Sequence, residues 1–170
     1  MREFRDYKIE IFGLKNGAHE FDFVFDEVFF EAFEHSLLNK GKGSCKIKME
    51  KSDSMISLHF EVDGVIELEC DRSLELFDYH IHTMKELIYK YGDEEKELSD
   101  DVYVITKGTQ EVNIASFLFE LIHLEIPMKK IHPKFQNDNE QDELIFSSDE
   151  QEENENQSVD PRWDALKKLK

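Results

Sequence analysis

The sequence predicts an α+β protein: a mostly antiparallel sheet, arranged as a meander or a partly closed barrel, with two packed helices, a disordered acidic tail and a short C-terminal helix. Three observations predict it. Apolar and charged residues alternate with period two over much of the first 106 residues, the pattern of strands with one face on a core. Within residues 1–134 the period changes to helical in two places, near residues 26–38 and 113–126. After residue 134 the apolar residues thin out and the chain carries no Lys or Arg until residue 162. The expected divisions are therefore an α+β domain at 1–134, a disordered acidic linker at 135–158 and a helix at 159–170.

The elements follow in order. Tyr7, Ile9 and Ile11 alternate with Lys8 and Glu10, and Phe21, Phe23 and Phe25 share one side of a second strand. Asn16-Gly17 between them is a turn pair. Asp26 can cap a helix over 26–38, with Phe29, Phe30, Phe33 and Leu37 on one face and Gly41 and Gly43 beyond its end. Cys45, Ile47 and Met49 form the inner side of a third strand, and Ile56, Leu58, Phe60 and Val62 that of a fourth. Asp63-Gly64 reads as a two-residue hairpin turn, with Val65–Cys70 as the returning strand. A long strand or bent pair covers 76–91, where Phe77, Tyr79, Ile81, Leu87, Tyr89 and Tyr91 are all odd-numbered. GDEEKELSDD at 92–101 reads as an acidic loop, and 102–106 as a short strand. Asn113 opens the second helix and Pro127 ends it.

The charge is strongly acidic, −18 over 170 residues. Residues 1–134 hold 17 Lys and Arg against 28 Asp and Glu; residues 135–160 hold none against 10; residues 161–170 hold 4 against 1. Such a chain is repelled by phosphate backbones and anionic lipid, and is drawn to basic proteins. DNA and membranes are not expected partners. Two cysteines make no disulfide framework, no apolar run approaches the roughly 18–20 residues needed to span a bilayer, and the N-terminus lacks a signal-type apolar core. A reducing cytoplasm is the expected location.

No catalytic residue, metal site or cofactor is expected. His80 and His82 project from one face of a strand but lack a third ligand. Cys70 beside Arg72 could suggest a reactive thiol, but no base oriented by a third group can be read from the sequence, and Cys70 reads as a small core residue closing a strand. Lys40, Lys42, Lys46 and Lys48 form a basic stripe that could touch phosphates, although a merely solvated face accounts for it as well. The terminal helix carries more information. Asp160 is a good N-cap and Pro161 suits the first helical position; Arg162, Trp163, Leu166 and Leu169 follow at helical spacing, with lysines in the last turn. At about ten residues it is marginal alone and needs a surface, either its own domain or a partner.

Three stretches resemble one known family. VIELECDRSLE at 65–75 resembles the central signature of the YceD family, with Cys70, Arg72, Leu74 and Glu75 at matching positions and Ser73 in place of a second Cys. VNIASFLFELIHLEIPMKKIHP at 112–133 resembles the family's helix and proline segment, and VDPRWDALKKLK its closing motif. The resemblance implies a non-enzymatic accessory factor in large ribosomal subunit biogenesis, supporting accumulation or processing of 23S rRNA. Many family members carry a cysteine cluster that looks zinc-binding after the proline segment. Here His132 stands in that segment, no Cys follows Cys70, and the zinc site is not carried over. Charge and resemblance together point to a basic ribosomal protein, or a mixed protein–RNA surface of the pre-ribosomal large subunit, held through Asp160–Leu169. Direct rRNA contact through the lysine stripe is the alternative.

Overall fold

The structure, a computed structural model, describes residues 5–34 and 36–135. The predicted linker from residue 136 onward and the 159–170 helix, with Asp160, Pro161, Arg162, Trp163, Leu166 and Leu169, lie outside the described residues.

Among the described residues eight strands and two α-helices are formed: β1 (Lys8–Glu10), β2 (Gly17–Phe25), α1 (Glu27–Glu31), β3 (Gly41–Lys51), β4 (Met55–Glu69), β5 (Leu76–Gly92), β6 (Lys96–Ser99), β7 (Val102–Thr106), β8 (Glu111–Asn113) and α2 (Ala115–Leu124). A six-stranded sheet has the order β2-β3-β4-β5-β7-β6, and β1 pairs with β8 in a second, two-stranded sheet. Strands β2 to β5 form the expected antiparallel meander. The sheet as a whole is mixed, because β7 runs parallel to β5, and it is an open sheet ending on β2 and β6, so the barrel alternative is corrected. The parallel step arises because residues 92–101, read from the sequence as a loop, contain β6, which pairs antiparallel with the outer side of β7.

The predicted hairpin at Asp63-Gly64 does not exist; β4 runs unbroken through it. Parity explains why. Ile56, Leu58, Phe60, Val62, Ile66 and Leu68 are all even-numbered and all buried. A two-residue turn at 63–64 would pair Val62 with Val65 and Phe60 with Glu67, sending Ile66 and Leu68 to the solvent side. Gly64 instead lies opposite Gly43 of β3. A side chain on Gly43 would collide with the Asp63 carbonyl and the Phe25 ring, and one on Gly64 would reach within 2.8 Å of that ring. The glycine pair is thus a seat for Phe25, not a turn.

Asp26 caps α1 as expected, its carboxylate accepting from the backbone N–H of Val28 and Phe29 at 3.0 and 3.3 Å. The helix is shorter than the predicted 26–38, and the face differs: Leu38 is buried whereas Leu37 is exposed. Phe29 and Phe30 anchor α1 on the inner side of the sheet, and Phe33 stacks on Phe119 of α2 at 3.9 Å. Asn113 accepts the N–H of Ala115 at the start of α2. Phe117 of that helix meets Phe60 at the centre of the sheet, 4.9 Å between ring centroids.

Candidate functional site

At the end of β4 the chain must turn into β5 within six residues. The turn Cys70–Glu75 is closed by two backbone bonds, Cys70 N–H to the Glu75 carbonyl (2.9 Å) and Leu74 N–H to the Cys70 carbonyl (2.8 Å). Leu74 adopts φ +57°, a left-handed conformation that costs a non-glycine residue about 1 kcal/mol or more. Its side chain is 71% exposed, so burial does not offset that cost.

The segment after α2 runs alongside this turn. Asp71 and Lys130 exchange bonds twice: Asp71 N–H donates to the Lys130 carbonyl at 2.8 Å, and Lys130 N–H donates to the Asp71 carboxylate at 2.7 Å. Four residues on in both segments, Glu75 accepts from the Lys134 ammonium and from the Ser73 hydroxyl. The Arg72 guanidinium lies 4.8 Å over the Phe135 ring, a cation–π contact. The backbone N–H from Lys130 is the main reason the Asp71 carboxyl is held below its ordinary range; for Glu75 it is the bond from Lys134.

Cys70 sits beneath these ties with no exposed surface, and its sulfur accepts the His132 N–H at 3.3 Å. Burial pushes the thiol up. Backbone N–H groups of His132, Ser73 and Arg72, with the Ser73 hydroxyl, outweigh it and bring the thiol down to about 7. These donors stabilise a thiolate, and the residue that carries it has no exposed surface. The His132 ring is also engaged: Nδ1 accepts the Lys134 N–H at 3.1 Å, and the ring packs 5.4 Å from Phe77. Cys70 and His132 therefore do not fit as a metal pair, and among the described residues no group of three or more His, Cys, Asp and Glu is placed to hold an ion. What this junction can do is fix two distant segments together and present Arg72, Leu74 and Lys129 outward.

The structure brings together Cys70, Arg72, Leu74 and Glu75 of the signature with the 127–135 segment. Sequence reasoning missed Asp71, Lys130, Lys134 and Phe135 as its binding partners. The signal was present, since acids at 71 and 75 and lysines at 130 and 134 have the same spacing. Reading it required knowing that the two segments lie side by side.

The lysine stripe is elsewhere, on the outer face of the sheet. Lys46 lies in register between Asp22 of β2 and Glu61 of β4, and Lys48 between Glu20 and His59. Lys40 pairs with Glu67 at 3.5 Å. Lys42 borders an open groove shared with Asp26, Glu67 and Asp78. The stripe is threaded with acids on both sides and is not a continuous basic surface. His80 and His82 are exposed on the same face, where His82 approaches Asp63 at 3.4 Å. No described helix is long and apolar enough to cross a membrane.

Comparison with known proteins adds one finding. A protein-family model described as large ribosomal RNA subunit accumulation protein YceD matches residues 58–170, which include all three stretches of the resemblance. No curated protein and no solved structure matched. The match covers well over half of the chain, and the chain belongs to the family of the large ribosomal RNA subunit accumulation protein YceD.

Proposed function

We propose that this protein is a non-enzymatic accessory factor in large ribosomal subunit biogenesis, supporting 23S rRNA accumulation or processing by binding a basic ribosomal protein or a mixed protein–RNA surface. Family membership supports the process. The observation that carries the mode of action is the placement of charge: in a chain of net −18, Lys46 and Lys48 of the stripe stand opposite acids and Lys40 pairs with Glu67. Long-range attraction is then toward cations, and an approaching phosphate meets carboxylates as soon as it meets Lys46 or Lys48. The burial of Cys70 supports a binding role over thiol chemistry.

In this reading the acidic protein captures its partner electrostatically, and the 159–170 segment, through Arg162, Trp163, Leu166 and Leu169, supplies an anchored contact. Deleting residues 159–170 abolishes co-sedimentation with pre-ribosomal particles while the domain stays folded; normal co-sedimentation of the truncated protein removes that contact from the reading. Pull-down from cells with and without nuclease tests the partner. A ribosomal protein retained after nuclease supports direct protein binding. Association lost with nuclease, and weakened by Lys46→Glu with Lys48→Glu, would transfer the role to rRNA contact through the stripe.

A further inference from the structure

The acids of the sheet's outer face form a regular alternation that is incomplete on one side. Crossing from β4 to β2, one row reads Glu61, Lys46, Asp22, and the next reads His59, Lys48, Glu20. Each row ends on an acid because β2 is the terminal strand of the six-stranded sheet.

The backbone of β2 is oriented to continue the sheet. Ser52 N–H donates to the Met55 carbonyl in the β3–β4 turn, which fixes the phase of the ladder. Even-numbered residues of β3 bond to β4, so its odd-numbered residues bond to β2. By the register, the odd residues His19, Phe21 and Phe23 of β2 turn their N–H and carbonyl groups toward β3. Ala18, Glu20, Asp22 and Val24 turn theirs to the free edge. The Val24 carbonyl agrees, since it accepts the Tyr7 hydroxyl at 2.7 Å. Tyr7 also stacks by Phe23 and so covers that end of the strand. Among the described residues no strand pairs with Ala18–Asp22 on that side, and Phe21 is only partly buried on the inner face.

From this geometry we infer that the edge of β2 between Ala18 and Asp22 is a docking strand for an extended basic segment of a partner protein, in which Lys or Arg alternates with apolar residues. The inference rests on the proposed reading that the partner is a basic protein, and gives it a place of contact. A strand added here sets two basic side chains, two residues apart, directly opposite Glu20 and Asp22, with an apolar residue between them over Phe21. The chain already contains that complement: Lys46-Ile47-Lys48 of β3 sits opposite Asp22-Phe21-Glu20 on the other side of the same strand. The same acids act against a second copy. Two β2 edges paired antiparallel about Phe21 place Glu20 opposite Asp22 in both halves, a like-charge arrangement.

The test uses the full chain and three labelled peptides of equal charge. The first contains Lys-Ile-Lys within a β-prone flank. The second is identical but N-methylated at both lysines, which removes the two N–H groups that donate to the edge and keeps the charge. The third has its lysines adjacent. The first binds; the second and third bind at least about tenfold more weakly. Glu20→Lys with Asp22→Lys abolishes binding. Glu20→Gln with Asp22→Asn, a milder pair that keeps the strand intact, weakens it and so covers the case in which the reversal disturbs folding. Equal binding of the N-methylated peptide reduces the contact to plain charge attraction and overturns the inference. So does indifference to both variant pairs, a wild-type dimer that dissociates when the edge is blocked by Glu20→Pro, or an RNA oligonucleotide that binds with the same variant sensitivity. Failure of the first peptide to bind, with a basic ribosomal protein still recovered after nuclease, sinks the edge and leaves the proposed function standing. Binding of the first peptide with no such protein recovered does the reverse.

Discussion

The central sheet and the junction between Cys70–Glu75 and Pro127–Phe135 are held together by different means. In the sheet, parity does the holding. Seven even-numbered positions of β4 from 56 to 68 face the core, six of them with apolar side chains. Each contributes burial free energy that is non-directional and tolerant of small displacements. In the junction, specificity comes from a few directional bonds between residues 59 to 62 apart in sequence, most of them near solvent. Exposed ion pairs contribute little stability each, about 0–1 kcal/mol. The junction therefore sets where Arg72 and Leu74 stand, while the sheet keeps the chain folded.

The largest expected effect tests the sheet side of that contrast. Phe60→Ala removes the ring that joins the middle of β4 to Phe117 of α2. It costs about 3–5 kcal/mol in chemical denaturation, by lost burial and a cavity that the surrounding strands cannot close. Next comes the one junction residue that is fully buried. Cys70→Ala leaves the His132 N–H without its acceptor and costs about 1–3 kcal/mol. Hydrogen exchange distinguishes the two variants. Phe60→Ala raises exchange throughout the sheet, whereas Cys70→Ala raises it first at Asp71, Lys130 and His132. Uniform loss of protection in Cys70→Ala would mean that the junction is part of the global core after all.

The two regions also differ in how far the sequence revealed them. Alternation placed β2, β3 and β5, whose inner apolar residues share one parity, whereas β7, with Val104 and Ile105 both buried, was legible only as a short apolar run. β4 was misread despite having the longest even-numbered run. Asp63-Gly64 is a strong local turn pair, and it outweighed the parity of Ile66 and Leu68 in the reading. In the folded chain parity wins, since a turn there would expose two core residues and unseat Phe25 from Gly43 and Gly64. Leu37 failed for a related reason: α1 ends at Glu31, so helical spacing no longer decides which of Leu37 and Leu38 is buried. The signature residues were legible as a motif, and Cys70 as a buried strand end. Their partners were not, because the register between 71–75 and 130–134 is set by the placement of α2 and by no local propensity.

A smaller effect, spread over a pH range, separates the helix side of the core from the junction. His123 of α2 donates through Nδ1 to the Phe119 carbonyl, and its Nε2 is buried without a hydrogen-bond partner. Burial holds the imidazole below its ordinary value of 6.5. The unfolded chain therefore takes up this proton first, so the stability at stake is full above about pH 6.5 and declines as pH falls below it. Asp71 and Glu75, also held low, lose theirs only further down, below the ordinary carboxylate values of 3.8 and 4.5. His123→Phe keeps the ring against Phe119 and flattens the decline just below pH 6.5 without changing the carboxylate limb. A denaturation series in which His123→Phe and wild type decline in parallel between pH 6.5 and 5 would show that His123 does not supply that limb.

The smallest effect belongs to the lysine stripe. Lys46 and Lys48 stand on the solvent face with acids opposite, and each such exposed cross-strand pair contributes about 0.2–1 kcal/mol. Lys46→Ala loses two such pairs and costs at most about twice that, and Lys48→Ala less, because Lys48 has an acid on one flank and His59 on the other. Added salt erases the difference between the two variants, since all three Lys–acid pairs lie in water. A cost for Lys46→Ala that persists in high salt would mean that its aliphatic stem packs on the sheet surface. Its contribution would then belong with the apolar holding of the sheet, and not with the charge alternation that ends at Glu20 and Asp22.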